Sequence, residues 1–123
     1  VVRSVRAVIP FDTYEYKKVI RNEAAARGIN RLTPDDRIGL SEFFFKGGLC
    51  HQQALLTATT LTLLQQRRGI EGKISVDSTM PNEYDPDRHV LVRYTTEDAD
   101  LLLDSLGTGV REFRPRHRMA YAE

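Results

Sequence analysis

The sequence predicts an α+β domain in which N-terminal helices and a buried central helix pack on a small antiparallel sheet. Three observations predict it. Helix start and stop signals crowd the first half of the chain, ahead of residue 70. A long stretch without a charged side chain follows the Gly47-Gly48 pair, as in a helix surrounded by protein. Three short alternating segments, each bounded by turn residues, follow it. With 123 residues, 41% of them apolar and 28% charged, the chain suits one core. A single domain over 1–123 is expected, helical over 1–68 and strand-rich over 72–123.

The first helix is expected over Asp12 to Arg27. Asp12 or Thr13 caps it, Glu15 lies in its first turn, Gly28 ends it, and Tyr16, Val19, Ile20 and Ala24 give an apolar stripe. Thr33-Pro34-Asp35-Asp36 has the form of a second start: a capping hydroxyl, Pro at the first helical position, then two carboxylates facing the helix dipole. That helix is expected to run to about Phe45, with Gly47-Gly48 breaking it. The third runs from near Cys50 to about Arg67, with apolar residues on nearly every face and Gly69 as its stop. Cys50, Ala54, Ala58 and Leu61 fall on one side of it, and their mostly small side chains let a sheet approach closely. Thr57, Thr59, Thr60 and Thr62 are expected to bond back to helix carbonyls.

Lys73 to Thr79, Arg88 to Thr95 and Asp100 to Leu106 read as strands, with Met80 to Asp87 as a loop and Thr96 to Ala99 as a hairpin turn. Val110 to Glu123 reads equally as a strand or a surface segment.

Composition removes several classes of function. Eighteen basic and 17 acidic side chains give a net charge of +1, which argues against a nucleic-acid partner. The basic stretch Arg111, Arg114, Arg116, His117 and Arg118 reads first as a solvated face, with an acidic partner or a nucleic acid as its alternative. The most apolar run, Ala54 to Leu64, is too short and too threonine-rich to cross a membrane, so no membrane partner is expected. One cysteine precludes an internal disulfide and a thiolate cage, and three histidines show no ligand spacing, so neither metal nor cofactor is expected. A reducing, cytoplasm-like compartment fits. The chain opens on Val1 with no signal-peptide pattern, as a piece excised from something longer would.

The residues that carry chemistry come in the order Cys50, His89, Asp104. Cys50 stands at a predicted helix start, where unpaired N–H groups lower a thiol pKa and stabilise an oxyanion. A thiolate attacks a carbonyl, an imidazole exchanges the proton, and a carboxylate holds the ring. A hairpin through Thr96 to Ala99 brings the strand ends bearing His89 and Asp104 together. Asp77 and Asp100 compete with Asp104 for the orienting place. His51 reads as a rim residue, because neighbours on a helix diverge by about 100°.

Gly47-Gly48-Leu49-Cys50-His51-Gln52-Gln53-Ala54, with His89-Val90-Leu91-Val92 and Leu103-Asp104-Ser105, resembles the core of transglutaminase-like proteins of the papain-like superfamily. The likeness covers roughly Phe45 to Gly107, and Leu101 to Leu106 is similar to the bacterial peptidase branch. It implies Cys50 as nucleophile, His89 as base and acid, and Asp104 as orienting carboxylate. The implied reaction is cysteine-dependent acyl transfer on a protein or peptide amide: peptidase, glutamine deamidase, or transglutaminase with an amine acceptor. A catalytically inactive binding module and an amine N-acyltransferase are the alternatives. The family often uses an upstream aromatic or amide side chain in its oxyanion hole. This chain has no Trp, and Gln52 and Gln53 are the candidates.

Overall fold

The computed structural model describes residues 1–33, 35–79, 89–104, 109–112 and 119–121. Three α-helices, α1 (Val2–Val8), α2 (Thr13–Ala26) and α3 (Cys50–Arg68), precede five strands. The strands are β1 (Lys73–Thr79), β2 (Val90–Thr95), β3 (Asp100–Asp104), β4 (Gly109–Glu112) and β5 (Met119–Tyr121). They form one antiparallel sheet in the order β4-β3-β2-β1-β5. The chain is α+β, helices packed on an antiparallel sheet, and among the described residues no helix is long and apolar enough to cross a membrane.

Local signals placed several elements well. Asp12 caps α2 through Oδ1, which accepts from the N–H groups of Tyr14 (3.0 Å) and Glu15 (3.1 Å). Gly28, at φ +70°, follows the last turn, and Gly69, at φ +64°, ends α3 in the left-handed conformation that glycine adopts without a Cβ penalty. The β2–β3 hairpin closes through the Thr96 N–H, which donates to the Ala99 carbonyl at 2.8 Å.

Three expectations need correction. Among the described residues of 33–45, no α-helix forms. The Asp36 carboxylate turns back to accept from the Thr33 N–H (2.6 Å) and hydroxyl (3.1 Å), closing a turn. Extended Gly39 then interrupts the segment, and only a 3₁₀ turn forms over Leu40–Phe43. Glycine inside a helix costs about 1 kcal/mol, and here the segment has no long apolar stripe to offset it. Of the three consecutive phenylalanines only Phe43 is buried; Phe45 is 81% exposed, at φ +61°.

The second correction concerns α3, which is not enclosed on every face. Gln52, Gln53, Ala54 and Thr57 are buried near its start, whereas Leu55 and Leu63 are about half exposed. Of the four threonines expected to bond back, Thr57, Thr60 and Thr62 do so to carbonyls four residues earlier. Third, the N-terminal stretch forms α1, for which no helix was expected. Its Val2 joins the core between α3 and the sheet.

Two cores result. Ala54 packs with Val2, Val92 and Leu103, joined by Ala58, Leu61 and Val76, so the small-residue side of α3 does face the sheet. Ile9, Val19 and Phe43 form the other, where α2 and the 3₁₀ turn close over the chain leaving α1. The C-terminal stretch, left open by its sequence, supplies both outer strands, β4 and β5. The Met80 to Asp87 loop, Arg88, and the basic cluster Arg114, Arg116, His117 and Arg118 lie outside the described residues.

Candidate active site

The site begins where the chain is sewn together before α3. Gly48 donates its N–H to the Pro10 carbonyl (2.9 Å) and accepts from the Asp12 N–H (3.0 Å). A Cβ on Gly48 would stand 3.0 Å from Ile9 Cγ2 and 3.1 Å from Gln52 Cβ. Gly47 is at φ +129°, and a Cβ there would fall 2.7 Å from that of Asp12. The Gly-Gly pair therefore does more than stop a preceding helix. It lets two backbones meet closely and delivers Cys50 to the first position of α3.

In the first turn of a helix, side chains lean toward the N-terminus and the leading N–H groups have no carbonyl four residues back. The half-buried Cys50 thiol lies among such donors. The His51 and His89 side chains and the Val90 backbone are close enough to favour its thiolate by hydrogen bonding. Burial alone pushes the thiol up, but those bonds and the His89 charge outweigh it and bring its pKa down to about 6.

His89 sits one residue ahead of β2, and Asp104 is the last residue of β3. The pairing of Val92 with Leu103 brings these strand ends side by side. His89 Nε2 and Asp104 Oδ1 are 2.8 Å apart, which leaves Nδ1 as the ring nitrogen for Cys50. The Asp104 hydrogen bond, then that of Cys50, raise the His89 pKa to about 9 despite burial, helped by the two negative charges. The two shifts run in opposite directions and favour the thiolate and imidazolium together as a coupled pair.

The competing carboxylates are elsewhere. Asp100 receives two bonds from Arg93, at 2.8 and 2.5 Å, and these hold its pKa below the ordinary value. Asp77, in the middle of the sheet opposite Leu91 and Tyr121, is fully buried. Among the described residues, neither of its oxygens has a hydrogen-bond partner at bonding geometry. Burial pushes its carboxyl up, and neighbouring Ser75 and Arg93 offset this only in part.

Both glutamines expected as oxyanion candidates have other contacts. Gln53 is buried and donates Nε2 to the Ile9 carbonyl at 2.9 Å, pinning α3 to the end of α1. Gln52 Oε1 accepts from the Leu49 N–H at 2.8 Å, the returning half of a capping box, and its Nε2 contacts His51 Nε2. Among the described residues, the backbone N–H groups at the start of α3 are the donors placed to meet a negative charge at Cys50.

His51 is the residue whose part the sequence understated. It lines a cleft, as a rim residue does, but its ring also bonds the thiol and meets Tyr16 edge-on at 5.9 Å. An imidazole that accepts at Nε2 carries its proton at Nδ1, and the contact with the Gln52 amide favours that tautomer. The signal that could have found it is position: the second residue of a helix still reaches over the helix end. Among the described residues, no group of three His, Cys, Asp or Glu side chains is placed to hold a metal. Comparison with protein-family models, curated proteins and solved structures gives no match to this chain.

Proposed function

We propose that the protein is a cysteine-dependent enzyme of acyl transfer. Within that class, its order of residues supports the transglutaminase-like kind, acting on an amide bond. The carrying observation is the connected set Cys50–His89–Asp104, with the cysteine first in a helix and the Asp104 carboxylate on the far nitrogen of His89.

The Cys50 thiolate adds to the amide carbonyl, and the new oxyanion is met by N–H groups at the start of α3. The imidazolium of His89 gives its proton to the leaving nitrogen as the C–N bond breaks, leaving a thioester on Cys50. Neutral His89 then takes a proton from water or an amine as that nucleophile attacks the thioester. Collapse expels the thiolate and restores the ion pair. Asp104 keeps the ring oriented throughout.

The experiment is the pH profile of Cys50 alkylation by iodoacetamide, followed by intact mass. The expected inflection is near pH 6, lost on His89→Ala. A profile centred near the ordinary thiol value of about 8.5, and indifferent to His89, overturns the proposal.

A further inference from the structure

A cleft of about 460 Å³ opens beside His51, the neighbour of Cys50, with Tyr16, Ile20, Leu32 and Phe43 also among its lining residues. His51 belongs both to this cleft and to the hydrogen bonds of the thiol. Tyr16 stacks on Phe43 at 5.7 Å and meets His51 at its edge, so an aromatic wall leads from the interior of the cleft to the nucleophile's neighbour. A second recess of about 480 Å³ lies against α2, lined by Tyr14, Tyr16, Lys17, Ile20 and Arg21. The two adjoin at Tyr16 and Ile20, which line both, and together, as a groove along α2, their volume exceeds what a small amide needs.

The groove has a sign as well as a shape. Lys17 and Arg21, one turn apart on α2, are exposed, as is Arg31 at the cleft. Among the described residues, no carboxylate pairs with any of the three. The acidic lining residue, Asp36, is already bonded by Thr33 and faces Arg27 at 3.8 Å. Apolar and aromatic side chains beside His51, and cations with no carboxylate partner among the described residues, define what fits.

Resting on the acyl-transfer reading above, we propose that the substrate is an extended peptide carrying an apolar side chain near the reacting amide and an acidic one two residues away. The apolar side chain fills the cleft beside His51, and the acidic one lies against Lys17 and Arg21. Side chains two apart share a face of an extended chain, which suits such a groove. Binding energy then comes mainly from the buried apolar group, with the exposed charges setting preference.

The test is an NMR titration of the full chain bearing Cys50→Ala, with Cys50→Ser as the second variant should the first misfold. The probe is the peptide acetyl-Gly-Glu-Gly-Phe-Gly-Gly-amide. Saturable shifts are expected at the backbone amides of Tyr16, Ile20, Leu32 and Phe43. Replacing the probe's Phe by Gly should weaken binding at least about tenfold. Replacing its Glu by Lys should weaken it about threefold, a preference reversed by Lys17→Glu with Arg21→Glu. Shifts confined to other surfaces, no saturation at millimolar peptide, or equal binding of the Phe and Gly peptides overturns the groove. Because this readout needs no turnover, its failure is distinct from that of the alkylation profile. A reactive thiolate without peptide selectivity removes only the groove, and a groove beside an ordinary thiol removes only the chemistry.

Discussion

Asp104 and Asp77 lie in the same sheet, and both are buried, at 6% and 0% exposure. They could hardly differ more in company. Asp104 ends β3 where the strand pairing brings it against His89. Asp77 sits mid-strand between β2 and β5, with no hydrogen bond to either oxygen from the described residues. The difference teaches that burial alone does not nominate a carboxylate for chemistry. A strand end opens onto a helix terminus and its neighbours, whereas a strand centre offers only packing.

The largest expected effect tests the paired side. His89→Ala removes a donor and a positive charge from Cys50, so alkylation at pH 6.5 should fall by on the order of 100-fold as the thiol returns toward its ordinary range. Asp104→Asn keeps the shape but removes the charge that raises His89. The upper limb of the alkylation profile, near pH 9 in the native chain, should move down, and reactivity at pH 6.5 should drop by about tenfold.

A buried polar group with a structural partner stands between the two cases. Gln53→Ala leaves the Ile9 carbonyl without its donor, and chemical denaturation should show a loss of about 1–3 kcal/mol. The alkylation profile should stay in place, because Gln53 faces Ile9. A displaced profile would return Gln53 to the active site.

The smallest effect belongs to Asp77. Its folded pKa is raised above the ordinary 3.8, so the folded chain binds this proton more tightly than the unfolded one. The stability from that preference is present in full below the ordinary pKa and is lost as pH rises through the folded one. Asp77→Asn removes the dependence. The stability difference between variant and native chain should therefore move in the variant's favour as pH rises above about 4, measured by denaturation at several pH values. Thiol reactivity should not change.

How much of this was legible beforehand depends on the range of the interactions involved. Asp12, Gly28 and Gly69 act within one helical turn, so the bounds of α2 and α3 could be read directly. The same rules failed between Thr33 and Phe45, where Asp36 found a closer partner in Thr33 and Gly39 broke the run. A missed glycine, already visible in the sequence, was the available signal. α1 had no such signal: Val2 and Ile9 are buried by residues far along the chain.

The candidate site divides in the same way. Residue types, their order and a helix start at Cys50 are properties of the sequence alone, because caps and turns involve near neighbours. Which aspartate reaches His89 was decided by strand register, since Val92 opposite Leu103 brings Asp104 to the ring and leaves Asp77 and Asp100 away from it. The glutamines were likewise committed by contacts that local spacing does not encode, Gln53 to Ile9 across 44 residues. By itself the sequence determined the chemistry available and the helix end that carries the thiol. Only the tertiary structure decided the partners, because a buried donor or acceptor bonds to whatever the packing brings within about 3 Å, however distant in the chain.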